Sequence, residues 1–370
     1  MRIENVQVLM KDGVFRRASV EFDHQIQKIE VSDRPGSPAG DYLIPGLVDV
    51  HTHGALGGDH TDASLEDFEA ISSFYARNGT TSFLATTLTD TTEVLEAAMR
   101  NLAVHDEAVT NYARCLGVNL EGPFFSFSKR GAHPAELLQI PSLTFFERLN
   151  ELSGNRVKMV CIAPELEGAF AFIKEASKVC KVALAHSAAD YETAMEGFAS
   201  GASHTIHLFN GMSPFGHREP GIVGAALDSD VFVEVICDGY HLHPAVIRGI
   251  FRMFPGRVCL ISDSIRCAGL PDGDYLSGCT PVRITNGKAV VKDGGSIAGS
   301  TISLLQGVRN AVSLGIPFAE AVQAASANGA KMLGMEDKIG SIAAGAYADL
   351  VLLDSDLQVK RVFVGGREIV

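Results

Sequence analysis

The chain reads as an α/β protein, a closed (β/α)8 TIM-like barrel with a small β-sandwich domain formed by the N- and C-terminal segments. Three observations predict this. Short apolar runs alternate with helical stretches through the middle of the 370 residues. There are eight such units in roughly 290 residues, which suits a closed barrel better than an open doubly wound sheet. Both ends of the chain, in contrast, carry only short strand-like segments.

The eight runs are Leu43–Val50, Thr81–Thr87, Ala113–Leu120, Val157–Ala163, Lys181–Ala185, Ala202–Ile206, Val231–Cys237 and Arg257–Ser262. They are aliphatic or β-branched without strict alternation, as parallel strands buried on both faces are. Amphipathic helices lie between several of them. Ser64-Leu65-Glu66-Asp67 resembles a capping box opening a helix to about Asn78, with Gly79 as its stop. Alternating strands and helices imply right-handed crossovers and a parallel sheet. No Gly-x-Gly-x-x-Gly fingerprint follows the first run, which speaks against a dinucleotide fold.

At the ends, Ile3–Leu9, Ala18–Phe22, Ala348–Leu353 and Val359–Val364 read as strands, with a Gly365-Gly366 turn after the last. The expected division is a small β domain from 1–43 and 335–370 and a barrel over 44–334. The Gly-rich stretch Ala268–Gly299 is too long for an ordinary connection. Within it, Asn286-Gly287 between Val282–Ile284 and Ala289–Val291 predicts a hairpin. Placed after a barrel strand, that hairpin would hang over the C-terminal face.

Composition narrows the function. The chain is 46% hydrophobic and 20% charged, enough to bury a large core. Its 31 basic and 44 acidic residues leave a net charge of −13, which argues against nucleic acid and anionic membranes as partners. No apolar run approaches a membrane span, and no secretory h-region follows Met1. The cysteines number seven and form no Cys-x-x-Cys pair, so they read as reduced core residues of a cytoplasmic protein.

The chemistry sits at the strand ends. The first run leads into His51-Thr52-His53, the third into Glu121, the fifth into His186, the sixth into His207 and the eighth into Asp263. In a barrel these ends converge on the C-terminal face, where active sites lie. Residues two apart on a strand point the same way, so His51 and His53 can grip one ion. Four imidazoles and two carboxylates with no thiolate among them suit Zn or Fe. The alternative is that these are satisfied core or surface histidines, but five polar strand ends on one rim rarely arise from packing alone.

Pro45-Gly46-Leu47-Val48-Asp49-Val50-His51-Thr52-His53-Gly54 resembles the opening strand of the amidohydrolase superfamily of metal-dependent barrel hydrolases. The tail Gly340–Val351 resembles the return into that superfamily's small β domain. Leu120–Phe124, Lys129–His133, His207–Met212 and Asp238–His241 are similar to the N-acetylglucosamine-6-phosphate deacetylases within it. The resemblance runs over the whole chain. It implies that Glu121, His186 and His207 hold one divalent ion and that His51, His53, Glu121 and Asp263 can hold a second. It implies that Asp263 is general base and then acid, although an Asp-Ser pair at a strand end also reads as a helix N-cap. It makes His133 a hydrogen-bond donor to the acetyl carbonyl oxygen. Asn210, Gly211, His217 and Arg218 would take the phosphate or sugar, and His241 the sugar hydroxyls or nearby backbone. Arg218 would serve across a homodimer interface, in a shared phosphate site. Lys129 adds charge there or is a plain surface lysine. His24, His60, His105, His204 and His243 receive no role.

The activity this implies is removal of the N-acetyl group from N-acetylglucosamine 6-phosphate. Rival readings are the galactosamine epimer, another amide hydrolase of the superfamily, and a non-catalytic sugar-phosphate sensor. A small anionic substrate is compatible with −13 overall, because a divalent ion with His217, Arg218 and Lys129 makes a locally positive pocket.

Overall fold

The computed structural model describes residues 1–32, 40–62, 64–104, 111–293 and 295–370; His105, given no role above, lies outside them. Eight parallel strands form one sheet in sequence order: Leu47–Thr52, Thr80–Thr87, Arg114–Leu120, Val157–Ile162, Lys181–Leu184, His204–Thr205, Phe232–Ile236 and Val258–Ile261. The first and last meet beyond their ends. The Asp263 amide donates to the His51 carbonyl at 3.0 Å, and the His53 amide to the Ser264 carbonyl at 2.8 Å. This junction closes the barrel and pulls the two strand ends that carry His51, His53 and Asp263 together. The predicted eight strands are all present.

Helix Leu65–Arg77 opens on the expected capping box: Ser64 accepts from the Asp67 amide while Asp67 accepts from the Ser64 amide. Such a cap contributes on the order of 1 kcal/mol. Its apolar stripe, Phe68, Ile71 and Tyr75, is buried against the barrel. Asp263 caps no helix; a turn follows it.

The ends of the chain form a second sheet of seven strands, which includes Arg2–Leu9, Phe15–Phe22, Ile26–Val31 and Tyr42–Pro45 from the N-terminal side and Leu350–Leu353, Val359–Val364 and Arg367–Glu368 from the other. It curls on itself, so that Gln25 bridges Tyr347 and the Phe22 ring packs edge-on against Phe363 at 5.1 Å. Buried Arg114 crosses from the barrel to Asp349 at 2.8 Å and lies over Tyr347.

Two sequence readings change. The run Leu43–Val50 is two strands, not one: Tyr42–Pro45 belongs to the terminal sheet and Leu47–Thr52 to the barrel. The crossing is at Gly46, where a Cβ would meet Thr81 Oγ1 at 2.0 Å, so only glycine lets the chain pass. The insertion after the eighth strand is a three-stranded sheet, Gly273–Ser277, Thr280–Thr285 and Lys288–Val291. The expected hairpin is its second half. The extra strand escaped notice because its alternating residues are mostly exposed or half-buried, which leaves little apolar pattern.

Candidate active site

Glu121 is the hub of the barrel mouth. One carboxylate oxygen, Oε1, lies 3.2 Å from His186 Nε2 and 3.2 Å from His207 Nε2. The other, Oε2, lies 3.4 Å from His51 Nε2 and 3.1 Å from His53 Nε2. Asp263 Oδ1 completes the second half, 3.2 Å from His53 Nε2 and 3.7 Å from His51 Nε2. All six side chains are buried. The strand ends brought together by the sequence reading are therefore one cluster with two lobes that share Glu121.

The local backbone is shaped for this. His186, His207 and Asp263 take φ of 41°, 25° and 49°. A non-glycine residue there costs on the order of 1–3 kcal/mol, and such strain collects at functional sites.

For three of the four imidazoles, the partner of the outer nitrogen determines which nitrogen faces inward. His51 Nδ1 donates to Glu234 Oε2 at 2.8 Å, His186 Nδ1 to the Lys129 carbonyl at 2.8 Å, and His207 Nδ1 to the Asn210 carbonyl at 3.2 Å. Carbonyls and carboxylates only accept, so Nε2 is left to aim its lone pair inward in the neutral ring. Three tautomers are thus set for ligation. His51 Nε2 and His53 Nδ1 have no hydrogen-bond partner among the described residues.

Burial would raise the Glu121 carboxyl, but the His51 charge and the hydrogen bonds of His186 and His207 hold it well below the usual range. Burial likewise opposes ionisation of Asp263, yet the His53 hydrogen bond and the His51 and His53 charges keep it low. Burial would lower His53, but Asp263 and Glu121 raise it to about 9. The two buried carboxylates thus stay anionic beside protonated His51 and His53, and a bound cation would displace those protons and take over their charge. The donor set, imidazole nitrogen and carboxylate oxygen converging with orphaned nitrogens, fits a divalent cation.

The cluster floors a cavity of about 360 Å³, also lined by His133, Asn210, Gly211, His241 and, from the insertion, Ser277 and Ser296–Gly299. The insertion does cover the active face. His133 Nδ1 accepts from the Thr89 amide at 3.4 Å, so its Nε2 carries the hydrogen; that nitrogen lies 3.9 Å from Glu121 Oε1. Burial, then the His186 charge, push its titration down to about 3, so the ring is a neutral donor at ordinary pH. His241 is held by Asp238 Oδ2 at 2.8 Å.

Three expected substrate residues do not line this cavity. Lys129 is half-buried and reaches the site through its backbone carbonyl on His186. His217 and Arg218 are exposed and contact each other at 2.6 Å. Side-chain reach across a fold is not written in a loop's composition. Two residues were missed. Asp238 orients His241, and Glu234 lies wholly buried behind His51. The signal for Glu234 was available: a carboxylate inside the apolar run Val231–Cys237, on the same face as the cavity-lining Ile236.

A model of the amidohydrolase family matches residues 42–369, so the chain belongs to the amidohydrolase family. Within that class its relatives are specific. It is 38% identical to the N-acetylglucosamine-6-phosphate deacetylase of Vibrio furnissii, over 88% of this chain and 82% of the relative. It is 37% identical to the N-acetylgalactosamine-6-phosphate deacetylase of Escherichia coli O157:H7, over 88% and 87%. Its fold superposes with a TM-score of 0.93, at 32% identity and covering 100% and 99% of the two chains, on a mutant N-acetyl-D-glucosamine-6-phosphate deacetylase of Mycobacterium smegmatis in complex with N-acetyl-D-glucosamine-6-phosphate.

Proposed function

We propose that this chain hydrolyses N-acetylglucosamine 6-phosphate to glucosamine 6-phosphate and acetate. The observation that carries the reading is the convergence, in one cavity, of a divalent-cation cluster, an ionised carboxylate at Asp263 and a neutral donor at His133 Nε2. The names of the relatives supply the substrate class. Zn or Fe suits the donors: Glu121, His186 and His207 would hold one ion, and His51, His53 and Asp263, with Glu121 shared, a second. A divalent ion supplies Lewis acidity, which acidifies water near neutral pH and polarises a carbonyl.

The chain's own groups do the rest. The cavity walls orient the sugar so that its acetamide faces the cluster. Asp263 accepts a proton from the attacking water as oxygen bonds to the carbonyl carbon. His133 Nε2 donates to the amide oxygen as negative charge gathers there. Asp263 then delivers its proton to the departing nitrogen as the C–N bond breaks. Water is consumed, and acetate and the free amine leave. Asn210, Gly211 and His241 line the cavity where hydroxyls or phosphate would lie. A non-catalytic sensor would need no proton carrier, and Asp263 supports the enzyme.

His217 and Arg218 lie outside the chain's own cavity, which supports a homodimer in which they complete the partner's phosphate site. Six of the seven cysteines are buried and all are unpaired, which supports a reducing, cytoplasmic setting. No helix among the described residues is long and apolar enough to cross a membrane. The test is acetate release from the 6-phosphates of N-acetylglucosamine and N-acetylgalactosamine and from unphosphorylated N-acetylglucosamine. Turnover of the first at the highest kcat/KM is expected; no release from either phosphate would overturn the reading. A higher value for the galactosamine epimer would reassign the substrate.

A further inference from the structure

Glu234 is the least expected group in the barrel. It sits in the seventh strand, fully buried, with its side chain turned inward. Taking a carboxylate out of water costs several kcal/mol unless a partner offsets it. Among the described residues no lysine or arginine pairs with it, and Oε1 has no hydrogen bond. His204 Nε2 is 3.9 Å away and lies 3.0 Å from the Met159 sulfur instead. Among the described residues its one close side-chain contact is His51 Nδ1, at 2.8 Å.

The four imidazoles of the cluster differ in this respect. His186 and His207 lean on neutral backbone carbonyls, and His53 Nδ1 on nothing among the described residues. Only His51 is backed by a carboxylate. Such backing pins the tautomer, orients the ring and makes the inward nitrogen a better donor to a cation. The lobe formed by His51, His53 and Asp263 has its ligand atoms within 4.8 Å of one another, and His51 is the only imidazole in it with an oriented outer nitrogen.

We propose that Glu234 is the positioning residue that makes the His51–His53–Asp263 lobe hold a divalent ion of its own, beside the one at Glu121, His186 and His207. This rests on the reading of the cluster as a metal centre. This role accounts for a carboxyl group buried in an apolar strand with His51 Nδ1 at 2.8 Å.

The test uses the full chain, stripped by chelator and titrated with Zn²⁺, with Co²⁺ absorption spectra in parallel. Wild type should take two ions per chain. Glu234→Leu should keep one with unchanged affinity and bind the second about 10–100-fold more weakly. Its ion-free form loses the acceptor of His51 Nδ1, at 2.8 Å in wild type, and should melt lower; what separates positioning from mere structural support is selectivity, since a general loosening of the barrel mouth would weaken both ions. Glu234→Gln keeps an acceptor for Nδ1 but not the charge, and should lose about tenfold, at the low end of that range. It carries the test should the leucine variant fail to fold. A wild-type chain that binds no ion would sink the metal reading itself. A single wild-type ion, or a second ion bound equally well by the substituted chains, would overturn the role of Glu234.

Discussion

Asp263→Asn isolates the proton carrier. The amide is nearly isosteric, and its Oδ1 keeps an oxygen in the lobe with His51 and His53, where the carboxylate oxygen lies 3.2 Å from His53 Nε2. The backbone link from the Asp263 amide to the His51 carbonyl, at 3.0 Å, does not involve the side chain, so barrel closure persists. What disappears is a group that accepts a proton and returns it. A positioned acid–base contributes about 10²–10⁴-fold. Asp263 serves two proton transfers in sequence, but only the slower is visible in turnover, so the factors do not multiply. The expected loss in kcat is therefore about 10²–10⁴-fold, or roughly 2.7–5.4 kcal/mol at 1.36 kcal/mol per decade. The assay is acetate release across substrate concentrations, with bound metal and the melting temperature recorded on the same sample. A variant that keeps its metal and its fold and turns over within tenfold of wild type would refute the assignment.

His133→Ala should lower kcat by about 10²–10³-fold with little change in KM, because its donor acts on charge that appears only in the transition state; a purely KM effect would mean that the ring merely binds. Arg218→Ala should raise KM for the phosphorylated sugar and leave unphosphorylated N-acetylglucosamine unaffected, and equal effects on both would remove the phosphate role. Arg114→Ala leaves Asp349 buried without its 2.8 Å partner, which should cost roughly 3–5 kcal/mol in urea unfolding. A loss below about 1 kcal/mol, as for exposed pairs, would mean that water replaces the guanidinium. Chelation should abolish turnover and lower the melting temperature, since an ion bound only by the native chain stabilises it by mass action; full activity after exhaustive chelation would refute a metal-dependent reaction.

Much of the barrel was legible because its signals are local. Ser64 and Asp67 mark a helix start within four residues, and an apolar run that ends in His51-Thr52-His53 declares a buried strand with both rings on one side. Where the signal was weak, the reading slipped. The strand Gly273–Ser277 has no clear apolar face, and Gly46 divides a continuous hydrophobic run only because Thr81 packs against it from another strand.

By itself, the sequence determined the fold class, the order of the strands and the set of polar residues at their C-terminal ends, since parallel strands in a barrel must bring those ends to one face. Only the tertiary structure decided how that set is divided. That Glu121 spans both lobes depends on contacts of one oxygen with His186 and His207, 65 and 86 residues away, and of the other with His51 and His53 on the first strand. That His51 has a carboxylate behind it depends on Glu234, 183 residues away. Lys129 enters the site through its carbonyl, and Arg218 stays outside it. Strand parity and capping are properties of neighbouring residues and can be read along the chain. Ångström-scale contacts between distant strands follow from barrel closure and from which rotamers the packed interior allows.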